Sequence, residues 1–180
     1  TPPPGLLEVC ATTGNTDFKK CMVFHSLSKR SNLPGLRSGF VAGDTDFITP
    51  FLKYRTYHGC SMSMTVQKAS ELAWADEKHV IENRALYAQK FMQAAEILGD
   101  RMDTHDSGAG FYLWAKIPVA CDTFSRELFE ATGVTVLPGQ YLGREVDGVN
   151  PGAGFVRMAL VAEPDTCREA LERINAFITR

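Results

Sequence analysis

Two cations, Lys29 and Arg37, stand eight residues apart in the sequence, and two hydroxyls, Ser26 and Ser28, come just before the first of them. Lys29 follows a short apolar run, and Arg37 comes just before a second one, after the Pro34-Gly35 pair. This pattern predicts a buried strand, a loop that carries the hydroxyls and the amine, and then a second buried strand. The four polar groups would meet at one edge of a sheet, and together they suit an aldehyde that bears a phosphate.

Lysine and arginine suit opposite ends of such a ligand. A lysine must lose its proton to attack a carbonyl, and desolvation near another cation lowers the pKa of a lysine. An arginine fork can bond two phosphate oxygens at once, which a lysine cannot do. Lysine chemistry therefore suits the aldehyde, and arginine chemistry suits the phosphate.

The segment from Ser26 to Gly39 resembles the lysine segment of the class I/II aminotransferases, which are fold-type-I pyridoxal-phosphate enzymes. Their pattern is Ser-x-Ser-Lys, a glycine-bearing loop, and Arg-x-Gly with the arginine eight residues after the lysine, and this sequence keeps each part. The resemblance implies that Lys29 attaches pyridoxal 5'-phosphate and later moves a proton between the substrate Cα and the cofactor. It also implies that Ser26 and Arg37 hold the phosphate, with Ser28 among the cofactor-binding residues.

Arg157 is the other residue with an expected role in the site. It lies in an apolar run that predicts a strand, where an unpaired charge would be costly, so we expect a partner or ligand carboxylate nearby. The segment Asn150–Arg157 resembles the strand whose arginine binds the substrate α-carboxylate in aminotransferases, which would orient the substrate Cα. The alternative is an edge-strand arginine paired with a surface acid.

The resemblance runs from about residue 20 to the C-terminus, and family members are about twice as long as this chain. It implies an α/β fold, the C-terminal part of a type I pyridoxal-phosphate transferase. Residues 1–95 would end the large mixed-sheet domain with a linking helix, and residues 96–180 would form a small α+β domain. The start, Thr1–Gly5, lacks methionine and reads as part of a longer chain, whose other half would supply the contacts to the cofactor ring.

Hydrophobic periodicity predicts the elements that position these residues. The predicted strands are Cys21–His25, Gly39–Gly43, Phe111–Ile117, Val134–Leu137 and Gly154–Val161. The predicted helices are Leu6–Gly14, Asp44–Tyr54, Met64–Trp74, Asp76–Gly99, Thr123–Thr132 and a last one from Pro164. Ser61 or Ser63 is expected to cap the Met64 helix. In the alternative, these serines and His58 lie near an active site shared with a partner subunit.

Composition narrows the classes of function. The net charge is -2, the sequence pI is about 6.1, and acidic and basic residues are interspersed, which argues against nucleic-acid or anionic-membrane binding. No apolar run approaches the roughly 20 residues of a membrane helix, and the N-terminus lacks the basic-then-apolar pattern of a secretion signal. The five cysteines have no zinc-site spacing and are expected to be free thiols. We therefore expect a soluble, cytoplasmic protein without a metal.

Within the family, residues 25–37 and 57–59 are most similar to enzymes of bacterial lysine biosynthesis that aminate N-succinyl-2-amino-6-oxopimelate. The resemblance implies ping-pong transamination of a 2-oxo acid, with glutamate as the amino donor, by a homodimer. One alternative is a class I/II enzyme for another amino acid, and another is a piece that is inactive without the other half. Ser26 and Lys29 also fit the Ser-x-x-Lys of serine β-lactamases, but the Ser-Asp-Asn and Lys-Thr-Gly strings of those enzymes are absent.

Overall fold

The computed structural model describes residues 3–104 and 108–179 and divides into two compact units, Thr1–Asn83 and Arg84–Arg180. The division falls within one long helix, Lys78–Leu98. The predicted domain boundary after residue 95 falls in the same helix and stays a prediction.

The first unit contains an antiparallel pair of strands and several helices. Its elements are α1 (Leu6–Thr12), β1 (Met22–Ser26), α2 (Leu27–Arg30), β2 (Gly39–Gly43), α3 (Thr45–Arg55), α4 (Met64–Ala75) and the beginning of α5 (Lys78–Leu98). The two strands pair from Met22 opposite Gly43 to Ser26 opposite Gly39. The predicted strands and helices of this unit are confirmed to within two residues at each end. The expected loop after Ser26 instead begins with the single helical turn α2.

The carboxylate of Asp44 caps the start of α3. Its side chain is 3% exposed and accepts the backbone N–H of Asp46 at 2.9 Å and of Lys20 at 2.7 Å. These two backbone hydrogen bonds, with a smaller contribution from the Lys19 ammonium at 3.5 Å, hold the pKa of Asp44 below its ordinary value. Asp44 thereby ties the turn before β1 to the helix after β2.

The second unit is a three-stranded antiparallel sheet packed against helices. Its elements are the rest of α5, β3 (Tyr112–Lys116), α6 (Cys121–Thr132), β4 (Leu137–Pro138), β5 (Phe155–Ala159) and α7 (Pro164–Ile178). The strand order is β3-β5-β4, with β5 central. α6 ends at Gly133, which adopts the left-handed conformation (φ 73°) that favours glycine at a helix end.

One apolar core organises the second unit. Alternate residues of β3 and β5 point into it, as the period of a half-buried strand requires, and α6 and α7 cover them. Its largest fully buried side chains include Leu98, Leu128, Leu171 and Val156. On α7, Cys167, Leu171 and Ile174 belong to this core, and Ile178 packs against it.

β4 is shorter than predicted. Only Leu137 and Pro138 pair with β5, so Val134 and Val136 lie outside the ladder. Directly after β4, the backbone at Gly139 packs against the backbone at Gly152. A Cβ atom on Gly139 would lie 2.4 Å from the carbonyl oxygen of Gly152, and one on Gly152 would lie 2.1 Å from the carbonyl oxygen of Gly139. Two glycines are therefore required for this contact.

The two units differ in how much apolar surface they bury. Among the described residues, the first unit buries only Cys10, Leu27 and Val80, whereas the core cluster of the second contains sixteen buried hydrophobic residues. Large apolar side chains of the first unit are exposed instead, including Phe24 (68%) and Leu52 (69%). Within the described part of the chain, no helix is both long and apolar enough to cross a membrane.

Truncation of the core of the second unit should weaken it. Leu128 is fully buried, so we expect Leu128→Ala to lower the free energy of unfolding by about 2–5 kcal/mol, through lost apolar burial and the cavity left behind. The matched control is Phe129→Ala, because Phe129 is the next residue and is 55% exposed. Urea unfolding of the whole protein, followed by circular dichroism, measures both. Equal losses in the two variants would contradict the assigned core.

Candidate functional site

Ser26 ends β1 and caps α2. Its Oγ accepts the backbone N–H of Ser28 at 3.1 Å and lies 3.0 Å from Ser28 Oγ and 3.1 Å from the carbonyl oxygen of Ser38. A serine at this position satisfies a backbone donor that the first turn of a helix would otherwise leave unpaired. The two hydroxyls of the Ser-x-Ser-Lys motif are thus neighbours.

Lys29 is carried by α2, and the buried Leu27 anchors that turn. Leu27 has no exposed surface, and its backbone N–H donates to the carbonyl oxygen of Ser38 at 3.1 Å. Lys29 itself is exposed. The burial and the backbone hydrogen bond of Leu27 therefore fix the turn that carries the hydroxyls and the amine of the motif.

Arg30 joins this turn to the end of α4, a role that the sequence analysis missed. Its guanidinium donates to the carbonyl oxygens of Ala73 at 3.0 Å and Trp74 at 3.4 Å, and it pairs with Glu77. A cation is favourable at a helix C-terminus, where the last carbonyls lack partners within the helix. The sequence offers no signal for this contact, because the partners lie more than 40 residues away.

Arg37 lies at the other end of the same connection. It follows a short 3-10 turn, Pro34–Leu36, adopts the left-handed conformation (φ 50°), and donates from Nη1 to the carbonyl oxygen of Pro34 at 2.8 Å. Its side chain is exposed. The connection from Ser26 to Arg37 carries Lys29, Arg30 and Arg37 and no acidic residue. Arg30 is paired with Glu77. The guanidinium of Arg37, with the hydroxyls of Ser26 and Ser28, suits a phosphate, which carries nearly two negative charges.

Gly39 permits the close approach of the two strands at this point. A Cβ atom on Gly39 would lie 2.6 Å from the backbone oxygen of His25. Because Ser26 pairs with Gly39, this contact sets the distance between the two ends of the connection. The Arg-x-Gly part of the motif therefore has a steric basis.

A cavity of about 520 Å³ lies beside the strand pair and α3. Its lining is mostly aromatic and aliphatic, with Phe24, Phe40 and Phe51 among its residues. The lining includes Ser26 but neither Lys29 nor Arg37. The cavity therefore adjoins the motif without containing its cations.

Arg157 belongs to the second unit and lies on β5, opposite Trp114 on β3 and Leu137 on β4. It is half-buried and points to the sheet face away from the core, because Val156 and Met158 point into the core. Its guanidinium lies 4.3 Å from the centre of the Tyr112 ring. Among the described residues, no carboxylate pairs with it.

Aromatic rings continue from Arg157 along this unit. Phe111 lies 4.1 Å from Tyr112 and 5.8 Å from Tyr87, measured between ring centres. Burial raises the pKa of Tyr87 above its ordinary value. Arg157 therefore lies next to a row of aromatic rings. If Arg157 bound the carboxylate of a ligand, these rings could contact the rest of that ligand.

The segment before α4 behaves as a helix start. Ser63 caps α4 by accepting the backbone N–H of Val66 at 3.3 Å, which confirms one of the two serines expected to do so. The ring of His58 stacks on that of Tyr54, with centres 4.2 Å apart. A role for His58 near a shared active site stays a prediction.

The structure places Ser26, Ser28, Lys29 and Arg37 on one connection of the first unit and Arg157 in the second unit. The hydroxyl, amine and guanidinium groups of the connection fit a phosphorylated aldehyde in chemistry and charge. The functional roles of all five residues stay predictions.

Comparisons with known proteins give one consistent result. A family model described as aminotransferase class I and II matches residues 9–174. An aminotransferase structure from Neisseria meningitidis is 49% identical with a TM-score of 0.89, covering 97% of this chain and 44% of that one. A probable aminotransferase of Mycobacterium tuberculosis is 34% identical, and the match covers 88% of this chain and 37% of that protein. An LL-diaminopimelate aminotransferase of Natranaerobius thermophilus is 32% identical, and the match covers 87% of this chain and 40% of that protein. The chain spans less than half the length of these relatives.

The steric role of Gly39 can be tested with a second glycine of the same connection. We expect Gly39→Ala to lower the free energy of unfolding by about 1–3 kcal/mol, because the new methyl group would press on the His25 carbonyl and push β2 from β1. Gly35→Ala is the control, since a Cβ atom there meets nothing within 4 Å. Thermal unfolding of the two variants provides the comparison. The explanation fails if Gly39→Ala is as stable as Gly35→Ala.

Proposed function

Because the chain belongs to the aminotransferase class I and II family, we propose that the whole protein is a pyridoxal-phosphate-dependent aminotransferase. One observation carries the proposal: the connection from Ser26 to Arg37 brings together the hydroxyls of Ser26 and Ser28, the amine of Lys29 and the guanidinium of Arg37, and it has no acidic residue. Ser26 and Ser28 lie within hydrogen-bonding distance of each other at its start. Such a set suits a ligand that is an aldehyde at one end and a phosphate at the other.

Each residue of the connection has a proposed task. Ser26, Ser28 and Arg37 would bind the phosphate of pyridoxal 5'-phosphate, the serines by hydroxyl hydrogen bonds and the arginine by charge-assisted ones. Lys29 would attach the aldehyde through Nζ. Arg30 would hold α2 on the end of α4, so that Nζ of Lys29 keeps its position during the reaction.

Lys29 would also move the proton. When bound, the cofactor supplies an electron-accepting ring that stabilises negative charge on the substrate Cα. Once the amino group of the substrate has replaced it on the aldehyde carbon, Nζ of Lys29 would be a free amine again. It would then take the proton from Cα and return a proton to the cofactor side, as a general base and then a general acid.

Arg157 would bind the carboxylate next to the reacting carbon. Its guanidinium is half-buried and has no acidic partner among the described residues, so its bonding capacity is available to a ligand. The ring of Tyr112 covers one face of the guanidinium and leaves its edge for a two-pronged bond. Since the amino donor and the 2-oxo acid acceptor both carry this carboxylate, Arg157 would serve both half-reactions.

For the substrates, we propose glutamate as donor and N-succinyl-2-amino-6-oxopimelate as acceptor, in bacterial lysine biosynthesis. The support is the motif resemblance and a relative named for LL-diaminopimelate. The second candidate is a class I/II aminotransferase for another amino acid, since the names of the Neisseria and Mycobacterium relatives give no substrate. We further propose a cytoplasmic homodimer. The free state of all five cysteines agrees with a reducing compartment.

The sparse apolar burial of the first unit supports the idea that this chain is inactive by itself. The three buried hydrophobic side chains among the described residues of this unit provide little of the driving force that a stable domain needs. A two-stranded sheet is also marginal in isolation. The proposed reaction therefore belongs to the whole protein.

Lys29→Ala tests the central assignment. The purified whole protein should show a visible absorbance band from covalently attached pyridoxal phosphate, and the variant should lack this band and transaminase activity. Lys53→Ala is the matched control, because Lys53 is also an exposed lysine of the first unit, on α3. A parent protein without the band, or a band that survives in Lys29→Ala, would rule the assignment out.

Arg157→Ala should raise the Michaelis constant for both donor and acceptor by about 10- to 100-fold, the equivalent of one or two charge-assisted hydrogen bonds. Arg157→Lys should give a smaller increase, since it keeps the charge but loses the fork. Arg126→Ala, an exposed arginine on α6, provides the control. Steady-state kinetics with each substrate varied in turn measure the effect. An unchanged constant for both substrates would discard the role.

A further inference from the structure

Two thiols outside the proposed active site lie unusually close together. Sγ of Cys10, on α1, is 3.3 Å from Sγ of Cys21, which directly precedes β1. Cys10 is 5% exposed, and Cys21 is partly exposed. The remaining cysteines differ in setting: Cys121 and Cys167 donate to oxygens of Gln140 and Ala162, and Cys60 is exposed.

Local hydrogen bonds hold this pair together. The backbone N–H of Asn15 donates to the carbonyl oxygen of Cys10 at 2.8 Å, and the N–H of Cys21 donates to that of Phe18 at 2.9 Å. Between them, the side chain of Asn15 bonds both the N–H and the carbonyl oxygen of Lys19. The turn that brings the two sulfurs together is therefore closed by its own bonds.

We propose that Cys10 and Cys21 form a dithiol oxidation site, which small disulfides such as oxidised glutathione convert to an intramolecular disulfide. The sulfurs need to approach from 3.3 Å to about 2.05 Å, the length of a disulfide bond. Gly14, in the left-handed conformation (φ 85°), lies in the turn between them, and no residue within 4 Å would meet a Cβ atom there. The turn therefore has space in which to adjust.

The exposures of the two thiols set the order of the reaction. The thiolate of Cys21 attacks one sulfur of oxidised glutathione, the bond between the two glutathione sulfurs breaks, and one glutathione leaves. The thiolate of Cys10 then attacks Sγ of Cys21 and releases the second glutathione. The protein loses two electrons and two protons, and the small disulfide gains them as two thiols. Cys10 suits the second step, because its Sγ already lies 3.3 Å from the Sγ of Cys21 that it would attack.

The disulfide would fasten α1 to the start of the strand pair. The carbonyl oxygen of Cys21 accepts the backbone N–H of Asp44 at 2.9 Å, so the pair adjoins the point where β1, β2 and α3 meet. α1 has no other covalent tie to the strands than the turn itself. Oxidation would add one without any residue of the proposed active site taking part.

Trypsin provides a direct test, because Lys19 and Lys20 separate the two cysteines. The folded whole protein is treated with oxidised glutathione, its remaining thiols are blocked with N-ethylmaleimide, and it is digested without reductant. We expect the peptide that ends at Lys19 to be linked to the peptide Cys21–Lys29, two hydrogens lighter than the separate peptides together. Dithiothreitol should separate them.

Control variants identify the thiols involved. Cys60→Ser should still give the linked peptide, whereas Cys10→Ser should leave Cys21 as a stable mixed disulfide with glutathione. Recovery of Cys10 and Cys21 in separate peptides, whether blocked by maleimide or each carrying glutathione, would overturn the proposal. A link from either cysteine to Cys60 instead would overturn it too.

Discussion

The pairing of Ser26 with Gly39 is the constraint on which the candidate site depends. Gly39 has no side chain, so its backbone comes close to the His25 carbonyl, and the two strands meet at their ends. The Ser38 carbonyl then accepts the N–H of Leu27 and lies beside the hydroxyl of Ser26. The pairing of Ser26 with Gly39 thus fixes both ends of the connection that carries Lys29 and Arg37.

The connection is ordered mainly by polar contacts, whereas the second unit is ordered by an apolar core. Leu27 is the one buried apolar side chain on α2. The other anchors of this turn are Arg30, which belongs to α2 and bonds the end of α4, and the capping hydroxyl of Ser26. In the second unit, α6 and α7 cover the sheet with aliphatic and aromatic side chains. The two candidate binding regions therefore rest on different physical supports, hydrogen bonds for Lys29 and close packing beneath Arg157.

Much of the secondary structure could be predicted from hydrophobic periodicity, because it depends on neighbours along the chain. The α7 face with Cys167, Leu171 and Ile174 is an example. The sequence also located the strand of Arg157. Because side chains alternate along a strand, the sequence could also have placed Arg157 on the face away from the core. The expectation for Arg157 used only the cost of an unpaired charge.

The features that could not be predicted depend on distant partners. The valines before Leu137 favour a strand, but only two residues of this stretch find a ladder partner on β5. The contact of Arg30 with Ala73 and Trp74 has no local signature. The close sulfurs of Cys10 and Cys21 result from a turn whose bonds involve Asn15 and Lys19, and the spacing of the two cysteines matches no common motif.

The contact of Arg30 with the end of α4 has a consequence for protein engineering. The turn that bears Lys29 is held by carbonyls more than 40 residues downstream and by Glu77. A transplant of residues 26–37 alone into another scaffold would lose that support and leave a charged guanidinium without its acceptors. Any transplant of the site must therefore include at least the stretch from Met22 to Glu77, which brings the strand pair and α4 with it.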